Sequence, residues 1–155
     1  MILDERNEFC DATSVAAIAS TALVGDVIDL GSTSSDIGNG EPLYLVIQTD
    51  TEIITGGNAG TIQFFLASDA QAAIAVDASA TVHLSSASLV TDDAAANSAA
   101  LNAGGLILAA ALPMGTYERY LGILCTIGTT TVTAGKINAF LTNDVSKWAA
   151  LPDAL

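Results

Sequence analysis

The sequence predicts an all-β protein, an antiparallel β-sandwich or barrel assembled from short strands. Two observations carry that expectation, and a third describes its surface. Apolar and polar residues alternate in a series of short segments, and a repeat of two is the side-chain period of a strand. Clusters of Gly, Asn, Asp, Ser and Pro separate those segments, which is the punctuation of a sandwich or barrel. Charged residues make up only 14% of the chain, against about 25% in an average soluble domain, so the surface is covered by Ser, Thr, Asn, Gly and Ala.

Taken in order, Met1-Ile2-Leu3 opens an N-terminal arm over residues 1–11. The Ala-rich stretch 14–23 fits a short helix, although it runs into β-forming residues. Residues 31–40 form a Ser/Gly/Asp/Asn loop ahead of Pro42. The strand Leu43-Tyr44-Leu45-Val46-Ile47-Gln48 follows, with Leu43, Leu45 and Ile47 on one face. The glycines at 56, 57 and 60 break the chain before a second strand, whose inward set is Ile62, Phe64 and Leu66. In Thr81-Val82-His83-Leu84-Ser85 the alternation sends Val82 and Leu84 inward and His83 outward. Residues 92–102 fit a solvated loop better than a helix, because an isolated short helix is marginal. Residues 121–127 alternate so that Cys125 points inward with Leu121, Ile123 and Ile127. A short strand at 131–133 is expected between Gly128 and Gly135, and residues 136–141 close the series with Ile137, Ala139 and Leu141 inward. Nothing in the pattern divides the chain, and 155 residues suit one domain with a real core. The reading is a single sandwich domain over 1–155, with an N-terminal arm at 1–11 and a C-terminal tail at 146–155.

Charge excludes several partners. There are 17 acids against 4 bases, a net charge of −13. Nucleic acids are held by Lys and Arg that displace counterions from phosphates, and Arg6, Arg119, Lys136 and Lys147 are few and scattered. An anionic membrane surface is disfavoured for the same reason. The first residues are acidic where a secretory signal is basic, and the longest apolar stretch falls far short of the ~20 residues of a membrane span. Mutual repulsion at this charge keeps copies dispersed.

The search for chemistry yields little. His83 has no evident partner and reads as a surface histidine. Asp50 and Glu52 share a face in an extended segment, but a glycosidase pairs its carboxylates across a cleft and stacks its sugar on aromatics, and aromatics are 5% of this chain. A solvated loop is the plainer reading of that pair. Asp29, Asp36, Asn39 and Glu41 supply oxygen ligands without the spacing of a calcium loop. Cys10 and Cys125 are too few for a metal site or a disulfide framework. No catalytic residue, metal or cofactor is expected. The apolar ends are more telling. Met1, Ile2, Leu3, Trp148 and Leu151 lie outside the clear strands, and with Tyr117 and Tyr120 they form the expected protein-contact set, since aromatic anchors are typical interface hot spots.

Several segments together show a resemblance. Met1-Ile2-Leu3-Asp4, Ile28-Asp29-Leu30-Gly31, Asp36-Ile37-Gly38-Asn39-Gly40-Glu41-Pro42-Leu43-Tyr44, Leu112-Pro113-Met114-Gly115-Thr116, Arg119-Tyr120-Leu121 and Thr133-Ala134-Gly135-Lys136-Ile137 resemble the capsid cement proteins of the Bbp16-like family of tailed bacteriophages. They occur in family order across nearly the whole chain. The resemblance implies a jelly-roll-like sandwich, no catalysis, and homo-oligomers, dimers before trimers. It also implies synthesis in the host cytoplasm and a place on the outer surface of a capsid built from HK97-fold major capsid protein. The alternative is a phage-associated carbohydrate-binding or adhesion module stacking a sugar on Trp148, Tyr117 or Tyr120. A hydrolase using Asp50 and Glu52 is the third.

Overall fold

The computed structural model of the chain describes residues 4–18, 20–31, 37–75, 79–93 and 96–145. After a 3-10 turn at Glu5–Asn7, the strands are β1 (Glu8–Ser14), β2 (Thr21–Asp29), β3 (Tyr44–Ile54), β4 (Gly60–Asp69), β5 (Thr81–Ser85), β6 (Leu89–Thr91), β7 (Leu106–Ala111), β8 (Tyr120–Gly128) and β9 (Ala134–Thr142). A second 3-10 turn, Ala99–Leu101, precedes β7.

All pairings are antiparallel. The first sheet has the order β1-β9-β3-β7, the second β2-β8-β4-β5, with β6 also paired to β4. Successive strands cross between the sheets at both ends of the chain while remaining antiparallel within each. This is the jelly-roll arrangement, extended by β6.

The core lies between the sheets and follows the alternation. Leu45, Ile47 and Ile53 of β3 face Ile62, Phe64 and Leu66 of β4, with Leu121, Ile123 and Cys125 of β8 and Ile137, Ala139 and Leu141 of β9, all buried. A smaller cluster sits on the outer face of the second sheet, where Ile74 lies over Ala67 and Leu124 and beside Leu23, Val27, Phe65 and Tyr120. The segment carrying Ile74 is tied at both ends to buried Asp69, which accepts from the Gln71 N–H (3.0 Å) and the Ser79 hydroxyl (2.8 Å).

The edges depart from the sequence reading. Residues 8–11, placed in the arm, begin β1, where a bulge turns both Phe9 and Cys10 into the core. Where a short helix is expected over 14–23, β1 ends at Ser14 and β2 begins at Thr21, and Ala17 and Ser20 take positive φ, which a helix does not permit. Residues 131–133 form no strand, yet Val132 is buried, with its carbonyl accepting from the Ala17 N–H (3.0 Å). In β5 the register slips between Leu84 and Val82, making His83 the extra residue of a bulge. A bulge reverses the alternation beyond it, so Val82 is 53% exposed while His83 turns toward the interior. Asp50 and Glu52 lie in the irregular end of β3 rather than in a loop.

Candidate interaction surfaces

The two long flanks of the sandwich are built differently. On one, β1 and β2 meet across the sheets. Gly25, at φ +73°, makes the contact possible, because a Cβ there would lie 2.2 Å from the Phe9 carbonyl oxygen and 2.6 Å from Cys10 Cβ. Beside this seam an open groove of about 510 Å³ is lined by Glu5, Glu8, Asp11 and Asp26 around Phe9 and Cys10, with no basic residue among its lining. Burial, followed by repulsion from Asp11 and Glu5, raises the Glu8 carboxyl above its ordinary range. Among the described residues no group of His, Cys, Asp and Glu is placed to hold a metal ion. The Cys10 thiol is pushed up to about 12, mainly by burial, as is Cys125. Both cysteines are free and buried, and thiols held so far from ionisation are inert.

The opposite flank carries the edges of β7 and of β5 and β6. At one end the Ala99–Leu101 turn spans from β6 to β7, held by Val90 N–H to Ser98 Oγ (2.9 Å), Ser98 N–H to the Val90 carbonyl (3.0 Å) and the Thr49 hydroxyl to the Ala100 carbonyl (2.8 Å). At the other end Tyr117 fills the gap. Its ring is fully buried and lies 4.0 Å from the His83 ring, and its hydroxyl donates to the Pro113 carbonyl (2.6 Å). His83 Nε2 lies 2.8 Å from Ser68 Oγ, which also accepts from the Glu118 N–H (3.1 Å). Burial lowers the His83 pKa, with Glu118 opposing weakly. The ring is therefore held neutral, and Nε2 can accept the Ser68 proton. Ser68 has no exposed surface, so this Ser–His contact is a structural tie and offers no nucleophile to solvent.

β7 itself is Leu-Ile-Leu-Ala-Ala-Ala, without a charge. The Leu112 N–H donates to the Leu43 carbonyl (2.8 Å). In an antiparallel ladder bonded and non-bonded pairs alternate, so Leu108 and Ala110 turn their backbone groups toward β3. Ala109 and Ala111 turn theirs outward, where they meet no partner among the described residues. Leu106, 37% exposed, and Met114, 80% exposed, stand at the two ends of this edge.

The expected contact residues separate. Met1, Ile2, Leu3, Trp148 and Leu151 lie outside the described residues. Tyr117 is a core residue and presents no face to a protein or a sugar, a correction to its expected role; its hydroxyl's bond to a nearby carbonyl is what permits that burial. Tyr120 is half-buried on the second sheet, with the Arg119 guanidinium 5.0 Å from its ring. Arg119 grips Asp29 through two bonds of 2.9 Å, which together with the Gly31 N–H hold the Asp29 carboxyl down to about 2. Asp29 is thereby tied to Arg119 at the end of β2.

A family model matches residues 9–141, running from the β1 bulge almost to the end of β9, under the description Bbp16. The chain belongs to the Bbp16 family. Comparison with curated proteins gives no match. The Bbp16 match covers the jelly roll and stops short of both chain ends. Within it, four of the segments that carried the resemblance come together at one end of the sandwich: Asp29 pairs with Arg119, the Leu30 N–H donates to the Arg119 carbonyl (2.8 Å), and Gly38 packs on Leu112. In this Bbp16 member the β7 edge and the His83 tie escaped the sequence reading. The run of uncharged residues at 106–112 was the available signal for the first. The second had none, because Ser68, His83 and Tyr117 meet only through tertiary packing.

Proposed function

We propose that this Bbp16-family protein is a capsid cement protein. It binds the outer surface of a phage shell of HK97-fold major capsid protein, bridges neighbouring subunits and performs no chemistry. The observation that carries this reading is the family match over the jelly roll, joined to the convergence of the resemblance segments at one braced end of the sandwich. That end is held by a turn whose backbone is pinned by the Tyr117 hydroxyl. A braced end loses little conformational entropy on docking, which favours affinity.

The physical role follows from linkage. Contacts that exist only in the assembled, expanded shell stabilise that state, as any state-selective ligand does. Repetition over a symmetric lattice, with a homo-oligomer bridging sites, multiplies a modest affinity. The net charge of −13 keeps unbound copies apart at high concentration.

The test uses shells assembled without the protein. Purified protein should co-sediment with expanded shells and raise their disruption temperature, with weaker binding to unexpanded ones. Absence of binding to expanded shells sinks the reading.

A further inference from the structure

The β7 edge lacks the blunting that the β1 and β2 edges carry. Natural sheets blunt their edges with charges, prolines and bulges, because unpaired backbone groups template association. β1 carries Glu8 and Asp11 and two register breaks, and β2 carries Asp26 within a bulge at Gly25. From Leu108 to Ala111, β7 pairs regularly with β3 and bears neither charge nor proline. Its outward backbone groups belong to Ala109 and Ala111, whose side chains are small and exposed.

We propose that this edge is a self-association seam. Two copies pair their β7 strands antiparallel about a twofold axis passing beside Ala110, so that the first sheets of both join into one continuous sheet. Ala109 of each copy exchanges its N–H and C=O bonds with Ala111 of the other.

Three features favour a second copy over a foreign strand. First, antiparallel pairing of a segment with itself is closed by one twofold operation, and here it joins the outward-facing pair 109 and 111 to the same pair reversed. Second, the same register brings Met114 of one copy toward Leu106 of the other, so that large apolar side chains exposed at opposite ends of the edge cover one another. Third, a chain of net charge −13 repels its copies, and a seam free of acids is where that repulsion is least. The limits of the edge also fix the register. A bulge at Ile107 and Pro113, which lacks an N–H, bracket the regular segment. Slippage and open-ended stacking are thereby disfavoured.

The seam deepens the homo-oligomer part of the function proposed above and does not need the capsid. The experiment is sedimentation velocity across a concentration series, with two variants. Ala109→Pro removes an outward donor and leaves the β3 ladder intact. It should shift the dimer to monomer, weakening association at least ~100-fold for a seam made mostly of backbone bonds, with unchanged circular dichroism. Ala110→Cys places two thiols at a directly opposed, non-bonded pair. Such Cα atoms lie about 4.5 Å apart, within disulfide reach, so mild oxidation should give a covalent dimer of native sedimentation. A wild-type monomer or trimer, a dimer that survives Ala109→Pro, or the failure of Ala110→Cys to cross-link would each overturn the seam. A wild-type monomer that still binds expanded shells would overturn the seam alone and leave the cement reading standing.

Discussion

The flank where β1 meets β2 and the flank where β7 faces β5 and β6 solve the same problem, how to finish a sandwich at its sides, by opposite means. The first brings backbones into contact through Gly25 and surrounds the seam with carboxylates. The second keeps its edges apart, props them with Tyr117 at one end and the Ala99–Leu101 turn at the other, and leaves an uncharged edge bare. The difference teaches that acidity in this chain is placed as well as plentiful. Carboxylates gather along the first flank, whereas on the second the β7 edge itself carries none.

The comparison breaks most readily at Gly25. Gly25→Val forces a Cβ into the Phe9 carbonyl at a positive φ, and should cost about 3 kcal/mol or more from overpacking and backbone strain combined, read as a lowered urea midpoint. Gly57→Ala sharpens the result. Gly57 also has positive φ (+92°) but nothing within 4 Å of its would-be Cβ, so it should lose only about 1 kcal/mol of conformational preference. Equal losses at the two sites would show that closure of the first flank contributes nothing. On the second flank, Tyr117→Phe deletes the bond to Pro113 and should cost about 1 kcal/mol, with faster hydrogen exchange confined to the following turn.

The next effect depends on pH. The His83 ring is less basic folded than its ordinary 6.5. Below that pH the unfolded chain takes up the proton first, so stability falls as the pH drops through about 6.5 and levels off below the folded value. His83→Asn should flatten that stretch of the stability–pH curve; an unchanged slope would remove His83 from the account of this flank. The smallest effect is expected in the acidic groove. Glu8 is harder to ionise folded than free, so its charge weakens the fold only above the ordinary carboxylate range. Glu8→Gln should stabilise at neutral pH by about 0.5 kcal/mol or less, as befits a surface site. The gain should shrink in high salt, which screens the repulsion from Asp11 and Glu5 but not the cost of burial, and should vanish at pH below 4.5, where the ordinary carboxyl is protonated.

Legibility in the sequence tracked position in the sheets. The strands called correctly with their inward faces, β3, β4, β8 and β9, are the inner strands of the two sheets, where a neighbour on each side enforces register and both faces are set by strict alternation. The misread segments lie at edges. The bulges in β1, β2 and β5 each interrupt the period of two, so Phe9 with Cys10 reads as no pattern and His83 reads as outward. β7 was hidden differently: three alanines carry little hydrophobic signal, and its burial comes from what packs on it. Of the expected contact residues, Tyr117 was misplaced because an aromatic beside a turn reads as a surface anchor until a carbonyl is found for its hydroxyl.

By itself the sequence determined the all-β class, the inward set of the inner strands, and an acidic, charge-poor composition. These are properties of local period and composition, and they survive any arrangement of the strands. Only the tertiary structure decided which strands became edges, where Gly25 lets two backbones touch, that His83 and Tyr117 face inward, and that the backbone groups of Ala109 and Ala111 turn outward, away from β3 and from any partner among the described residues. Each of these depends on residues far apart in the chain meeting across a sheet or between sheets, and no local pattern encodes which neighbour a strand will lack.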